Sequence, residues 1–303
     1  MILHQEFLTT AKRYWSKTAI IDRTTDRRLT YGRTLLAALL LARRIRRLPD
    51  HHIGIMLPNS AGSFLSVLGT VMAGKVPVMI NYSTGAEENA RYAQEKIGFK
   101  DIITSKVLLE KIGCPLIPGM FHLEDVIQRL SPLEKMRAVG RARLPLKLLR
   151  RTVARGRLDD TIVILFTSGS EREPKAVQLT NRNIGSNVRD IIHVFALNSD
   201  YVIMSILPLF HVFGHTTNLW MPLTGGMTAV THANPLDFRN IPTMIREEKV
   251  SMIAATPVFF GGYLREAKPG DFESLNLLVA GADKTPEWLR NEYLNKHGKT
   301  LLE

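Results

Sequence analysis

TIVILFTSGSEREPKAVQLT, residues 161–180, is the stretch on which the reading of the chain turns. It begins with an apolar run, TIVILF, of the type that forms a strand buried on both faces. A loop of hydroxyl-bearing and small side chains follows, then Pro174–Lys175 and an extended stretch, AVQLT. Thr167, Ser168 and Ser170 offer hydroxyl donors, and Gly169 lets the backbone approach an anion closely. Lys175 adds a mobile positive charge suited to a polyphosphate. Hydrogen bonds to a charged acceptor contribute roughly 1.5–3 kcal/mol each, so a few suffice to hold a triphosphate. The pattern G-x-x-x-x-G-K-[ST] is absent, so this is not a Walker loop. The plain alternative is a polar turn between two strands. The buried strand before the loop, and the Pro–Lys pair and extended chain after it, favour the phosphate reading.

Around this stretch the chain keeps the rhythm of βαβ units. Upstream, IGIML (53–57) precedes SAGSFLSVLGTVMAG, a helix pattern with Ser60 as its cap. VPVMI (76–80), the helix pattern AEENARYAQEKI and DIIT (101–104) continue it. Thr30 is placed to cap a helix through YGRTLLAALLLARRIRRL, stopped by Pro49. Downstream, a helix from Thr180 or Asn181 to about Phe195 leads to YVIMSI, a helix after Gly214, MTAVTH, and a helix from about Pro235 to Glu248. VSMIAA, a helix after Pro257, NLLVAG, a helix after Thr285 and KTLLE follow. Such alternation predicts an α/β fold with mainly parallel sheets. One segment, 133–157, interrupts the rhythm and is punctuated by Pro145 and two glycines. It divides the chain into a first α/β subdomain, 1–157, and a second, 158–303, which carries the loop. TLLE has strand character and no closing element, so the second subdomain is expected to be truncated at its C-terminal end.

The 303 residues, 45% hydrophobic and 22% charged, suit an ordinary globular protein with a real core. Cys114 is the single cysteine, which excludes a disulfide framework or a cysteine-built metal site within one chain and fits a reducing compartment. The N-terminus lacks the apolar core of a signal peptide. No apolar run reaches the ~18 residues of a spanning helix, and LLAALLLA (35–42) and SVLGTVMAG (66–74) read as buried helices. A cytoplasmic location is expected.

The net charge of +12 is unevenly placed. Between Leu133 and Arg157 nine Lys or Arg face one acid, Glu134, giving +8 there and leaving +4 for the rest. In LPLKLLRRTVARGR (144–157), Leu146, Leu149 and Val153 share one helical face, with Lys147, Arg150, Arg151 and Arg155 mostly off it. Two readings stay open. One is a helix lying on an anionic membrane surface, at the inner face of the cytoplasmic membrane. The other is a helix docking its leucines on the core. Nucleic acid is disfavoured, since the segment has no aromatic residue to stack on bases and no recognition motif. HVFGH (211–215) has the i, i+4 spacing of helical zinc ligands, but it lacks the adjacent glutamate and has Gly214 between the histidines, so no metal site is read from it.

TSGSEREPKAVQLTNRNI (167–184) resembles the signature TSGS(T/E)GxPKGVxxTHxN of the AMP-forming acyl-adenylate synthetase superfamily. The Glu171 variant, LPNSAGSFLSVLGTVMAGKVPVMINYSTG (57–85) and FHLEDVIQRLSPLEKMRAV (121–139) are similar to one branch, the bacterial acyl-acyl carrier protein synthetase/2-acylglycerophosphoethanolamine acyltransferases. The resemblance runs from about Thr30 to Glu303. It implies two stacked, mainly parallel subdomains with helices between them. It also implies a two-step reaction with ATP and Mg²⁺, in which a fatty acid carboxylate attacks the α-phosphate, pyrophosphate leaves, and a thiol of acyl carrier protein or CoA takes the acyl group. A lysophospholipid acyltransferase partner is implied by the branch. By resemblance, Thr167, Ser168, Gly169, Ser170, Glu171, Arg172 and Lys175 contact the nucleotide, with Lys175 neutralising phosphate charge. LPLFHVFG (207–214) resembles the segment whose histidine gates the acyl pocket, here His211. AGADK (280–284) resembles the segment flanking the adenine, placing Gly281, Ala282, Asp283 and Lys284 there, with Gly281 also lining the acyl tunnel.

The sequence departs from the pattern at Arg172 and Ala176, where glycine is usual, and at Asn181, where histidine is common. If the Arg172 position needs a positive φ, its side chain costs about 1–2 kcal/mol. The superfamily pattern continues beyond LLE into GYGxTE, whose glutamate binds Mg²⁺, then to an aspartate on the ribose hydroxyls and a small domain with a catalytic lysine. None of these lies within the 303 residues. The expectation is that this chain by itself adenylates fatty acid very weakly or not at all. The second reading is a non-catalytic one, a nucleotide- or acyl-binding module or a remnant of a degenerate or split synthetase.

Overall fold

The structure, a computed structural model, describes residues 1–167 and 173–303. Ser60 shows how local pattern becomes architecture. Its hydroxyl accepts from the Ser63 N–H at 3.3 Å, and the Ser63 hydroxyl accepts from the Ser60 N–H at 3.1 Å, a reciprocal cap that starts the helix Ala61–Met72. That helix carries no charged residue and is buried nearly all round, as an element lodged between two layers must be. Thr30 caps Tyr31–Ile45 in the expected way, with the chain leaving the helix before Pro49.

Thirteen strands form two sheets among the described residues. Strands β1 (Thr18–Asp22) and β2 (Arg27–Thr30) come first, then β3 (His52–Ile55), β4 (Val76–Met79), β5 (Ile102–Thr104), β6 (Met120–His122), β7 (Thr161–Phe166) and β8 (Ala176–Thr180). After them come β9 (Val202–Ser205), β10 (Thr228–Thr231), β11 (Met252–Ala255), β12 (Leu277–Ala280) and β13 (Leu301–Leu302). One sheet has the order β6-β5-β3-β4-β7-β8 and the other β13-β12-β11-β9-β10-β1-β2. All pairings are parallel except β7–β8 and β1–β2.

The two-residue period of the strands sorts the core into three. Ile20, Ile53, Val163 and Ile203 point into the layer between the sheets, filled by Leu3–Arg13, Tyr31–Ile45 and Ala61–Met72. Their neighbours Ile21 and Met204 face the helices Asn240–Glu247, Pro257–Glu266 and Glu287–His297 on the far side of the seven-stranded sheet. Ile164 faces Ala86–Ile97 and Lys106–Ile112 on the far side of the six-stranded one. The α/β class with two stacked, mainly parallel sheets is the one the sequence implied.

Several expectations are refined. The division at residue 157 follows the chain and not the sheets. β7 and β8 lie beyond it yet complete the sheet of β3–β6, while β1 and β2 open the chain and complete the sheet of β9–β13. Apolar strand patterns state burial but not partner, so sheet membership was invisible. The helix expected from about Pro235 starts at Asn240, and the one expected after Gly214 is π-helical over His215–Trp220. Helices Leu3–Arg13, Lys106–Ile112, Leu123–Gln128 and Pro132–Arg143, with β1, β2 and β6, were not anticipated.

The basic segment resolves into Pro132–Arg143 and a short helix, Leu146–Arg151. Leu149 and Val153 are buried in the central core, and Leu146 packs against it. The apolar face that a membrane-lying helix would insert is thus docked inside the protein, because those side chains cover the helix Leu3–Arg13. Lys147, Arg150, Arg151 and Arg155 stay exposed, and Arg150, Arg151 and Arg155 line an open depression of ≈ 510 Å³ with Met1, Ile2, Gln5 and Glu6. Among the described residues, no helix is long and apolar enough to cross a membrane.

Candidate functional site

In open parallel sheets, ligands bind beyond the carboxyl ends of the strands, where loops leave the sheet and backbone groups lack ladder partners. Here those ends meet from both sheets. After β3, buried Asn59 donates to the carbonyls of Ser205 (3.2 Å) and Leu207 (2.7 Å) just past β9. Asn218 donates to the same Leu207 carbonyl at 3.2 Å. Buried Asp22, ending β1, accepts from the N–H groups of Thr24, Thr25 and Ala61. These polar clasps fix the Leu207–His211 segment against the first sheet.

Lys175 sits where β8 leaves the loop. Thr167 N–H donates to the Lys175 carbonyl at 3.0 Å, and Lys175 N–H donates to the Thr167 hydroxyl at 3.0 Å. The Thr167 hydroxyl keeps its own proton for donation. Lys175 is exposed and has no ion-pair partner among the described residues. It lines an open depression of ≈ 630 Å³ with Lys96, Glu173, Pro174 and Ala176. Tyr92 braces this corner by donating to the Pro174 carbonyl at 2.7 Å, its ring edge-on to Phe166 at 5.9 Å. Ser168, Gly169, Ser170, Glu171 and Arg172 lie outside the described residues.

His211 belongs to an aromatic group of its own that starts past the end of β4. β4 and β7 are parallel neighbours, with Val78 opposite Ile164, so Tyr82 leaves the sheet beside the end of β7. Tyr82 meets Phe210 edge-on at 5.2 Å, and Phe210 lies 4.6 Å from the His211 ring. Desolvation holds the His211 imidazole below the usual histidine pKa and pushes the Tyr82 phenol up, so both are neutral at pH 7. Tyr82, Tyr92 and Phe213 were missed in the sequence. Their only signal was an aromatic residue following a strand or on a helix face, which a core residue shares.

The third segment packs against Phe213, two residues past His211. A Cβ built on Gly281 would lie 3.0 Å from Cε1 of Phe213, so glycine leaves room for that ring. Ala282 has φ 70°, a conformation that costs an L-residue about 1 kcal/mol and is common at ligand-binding turns. Asp283 turns its carboxylate onto the Lys284 N–H at 2.8 Å, and both side chains are exposed. The described residues thus place Thr167 and Lys175 past the end of β7, His211 and Phe213 past the end of β9, and Gly281–Lys284 past the end of β12, with Phe213 against Gly281. Arg150, Arg151 and Arg155 lie elsewhere, over the helix Leu3–Arg13, and Lys147 is exposed on the short helix Leu146–Arg151.

Gly214 is where the His211 segment is most tightly constrained. A Cβ there would fall 2.4 Å from the Pro208 carbonyl oxygen and 2.6 Å from that of Leu207, which are backbone atoms unable to swing aside. Gly214→Ala is expected to displace the His211 segment and lower stability by about 1–3 kcal/mol, read as a fall in the urea midpoint at constant slope. An unchanged midpoint contradicts that packing.

Comparison with known proteins bears on the family and the fold. The human long-chain-fatty-acid–CoA ligase ACSBG2 is 24% identical over 265 residues, covering 83% of this chain and 39% of that protein. Syringomycin synthase SyrB1 of Pseudomonas syringae pv. syringae is 25% identical over 314 residues, covering 98% of this chain and 46% of that protein. The chain therefore spans about half the length of the relatives it matches. In fold, it superimposes on the FmoA3 nonribosomal peptide synthetase with a TM-score of 0.81 at 19% identity, covering 99% of this chain and 31% of that one. O-succinylbenzoate coenzyme A synthetase (MenE) of Bacillus subtilis in complex with AMP gives 0.77 at 20% identity, covering 96% and 71%. The sequence pattern of the AMP-binding enzymes matches residues 7–303, nearly the whole chain, and the chain belongs to that family.

Proposed function

We propose that this chain forms the nucleotide- and acyl-binding part of an enzyme that activates a long-chain fatty acid with ATP as acyl-AMP, for transfer to acyl carrier protein or CoA. What supports the reading is that Lys175, His211 and Gly281 each sit past the carboxyl end of a parallel strand, β7, β9 and β12 in turn, with Lys175 tied to Thr167 and Phe213 against Gly281. Adenylation brings a carboxylate against a polyanion. The Lys175 ammonium, unpaired among the described residues, offsets that repulsion, and the Thr167 hydroxyl donates to a phosphate oxygen. Neutral His211, tilted against Phe210, gives an aliphatic chain an apolar, uncharged rim to pass. Among the described residues no group of three or more His, Cys, Asp or Glu is arranged to hold a metal, so the ligand set for Mg²⁺ is not assigned to them and no step here depends on the ion.

The test uses binding and turnover separately. A non-hydrolysable acyl-sulfamoyl adenosine with a long alkyl chain is expected to bind the purified chain at least about tenfold tighter than its acetyl counterpart, since each buried methylene contributes about 0.8 kcal/mol. Failure of both analogues to bind in calorimetry defeats the proposal, and equal affinity defeats its long-chain part. Fatty-acid-dependent pyrophosphate release by this chain alone is expected to be very low. Binding of the analogues without any release, even when the remainder of a related synthetase is supplied in trans, identifies the non-catalytic module instead.

A further inference from the structure

The basic segment presents a second face that the nucleotide site does not use. The helix Pro132–Arg143 turns Glu134, Ala138 and Ala142 inward. Glu134 receives a 2.6 Å bond from Arg44 of the helix Tyr31–Ile45 and caps Ser131 at 3.0 Å. The Ser131 N–H, then Arg44, hold its carboxyl down to about 2, so this acid is committed to the interior. At 100° per residue, Leu133, Met136 and Val139 lie on the opposite side. They are 49%, 67% and 43% exposed, and Ile127 before them and Leu148 after them are each 43% exposed. Single exposed apolar residues need no explanation, but a stripe of them on one helix face does.

The charge around the stripe has one sign. From Arg129 to Arg157 the exposed charged side chains are all basic, among them Arg129, Lys135, Arg137, Arg143 and Lys147, and the one acid in that span is the buried Glu134. No aromatic residue lies in the span to stack on a base. We propose that this outward face, Leu133–Met136–Val139 with its flanking Lys and Arg, docks on the surface of an anionic lipid bilayer. The apolar side chains enter the headgroup boundary while the long basic side chains stay at phosphate level, as in helices that lie in a membrane interface. A lipid surface is favoured over an acidic protein because the apolar stripe and the cations are interleaved on one convex helix face, so both must be satisfied at once. The docking face differs from the Leu146–Leu149–Val153 face, which is buried, and the inference does not depend on what the nucleotide rim activates.

The experiment is cosedimentation of the full chain with vesicles of phosphatidylcholine mixed with phosphatidylglycerol, against phosphatidylcholine alone. The wild-type chain is expected to partition onto the anionic vesicles at least about tenfold more strongly, falling with salt within a Debye length of about 10 Å. The exposed double variants Leu133→Gln/Met136→Gln and Lys135→Gln/Arg137→Gln are each expected to lose about tenfold, and the second to flatten the salt dependence. Unchanged circular dichroism keeps a folding defect separate, and all four side chains are exposed. No partition onto anionic vesicles, equal partition onto neutral ones, or indifference to both double variants overturns the proposal. So does a loss confined to the charge variant, which points to an acidic soluble partner, or concentration-dependent self-association abolished by Leu133→Gln/Met136→Gln, which points to a second copy.

Discussion

Lys175→Ala is expected to weaken ATP binding to the purified chain by about 10- to 100-fold, the equivalent of about 1.5–3 kcal/mol for a charge-assisted contact. The argument rests on what the ammonium does not do inside the protein. Lys175 is exposed at the mouth of an open depression and has no ion pair among the described residues, so its removal leaves no orphaned internal partner and the fold should keep its urea midpoint. Lys96 lines the same depression but stands 3.9 Å from Glu173, so Lys96→Ala is expected to matter less. Lys175→Arg keeps the charge and should recover part of the affinity, since a point charge suits a polyphosphate but a planar fork does not reproduce its geometry. Calorimetry with ATP on the four proteins decides it. If Lys175→Ala binds as the parent does, the rim is not a phosphate site and the proposed activity loses its support.

Acid is expected to destabilise the fold through His215. This residue is fully buried in the π-helical turn; its Nδ1–H donates to the Leu209 carbonyl at 3.1 Å, and its Nε2 has no hydrogen-bond partner. Burial pulls its pKa from the ordinary 6.5 down to about 4. Between those values the unfolded chain takes up a proton at this residue that the folded chain refuses. Stability is therefore complete above pH 6.5, falls as pH drops through the window, and levels off below pH 4, a loss of about 3 kcal/mol from this group. Burial also lowers His4, His52, His211 and His297, which act in the same sense. The informative quantity is thus the difference between the parent and His215→Gln. Urea unfolding from pH 7.5 to 4 should show the parent losing about 3 kcal/mol more than the variant. Parallel curves would mean that water reaches the ring.

Turn and cap chemistry was legible in advance because it is local. Thr30, Ser60 and Thr180 each bond to a backbone N–H within their own turn, so the residue types alone name the starts of three helices. Strand runs were legible for a related reason. TIVILF, VPVM and VIMS are apolar at consecutive positions because parallel strands are covered on both faces. The candidate site was legible where its residues are unusual for a core: a lysine after a hydroxyl-rich loop, a histidine before a glycine, a glycine after a strand.

Which sheet a strand joins, and which side of a helix meets solvent, was decided only in three dimensions. Leu149 and Leu133 belong to the same basic segment and have the same chemistry, yet one is buried in the core and the other half exposed. That outcome depends on whether Leu3–Arg13 or solvent lies opposite, and no spacing within the segment records it. Likewise, Tyr82, Phe210 and Phe213 read as core aromatics, and the contacts of Tyr82 with Phe210 and of Phe213 with Gly281 arise from the stacking of two sheets whose strands are far apart in the chain. The sequence by itself determined the α/β layering and the caps, and it offered the residues proposed to meet a nucleotide, since these follow from backbone propensity and side-chain chemistry. The tertiary structure alone decided which strands share a sheet and which aromatic rings meet, because contacts between distant segments depend on the relative placement of whole layers.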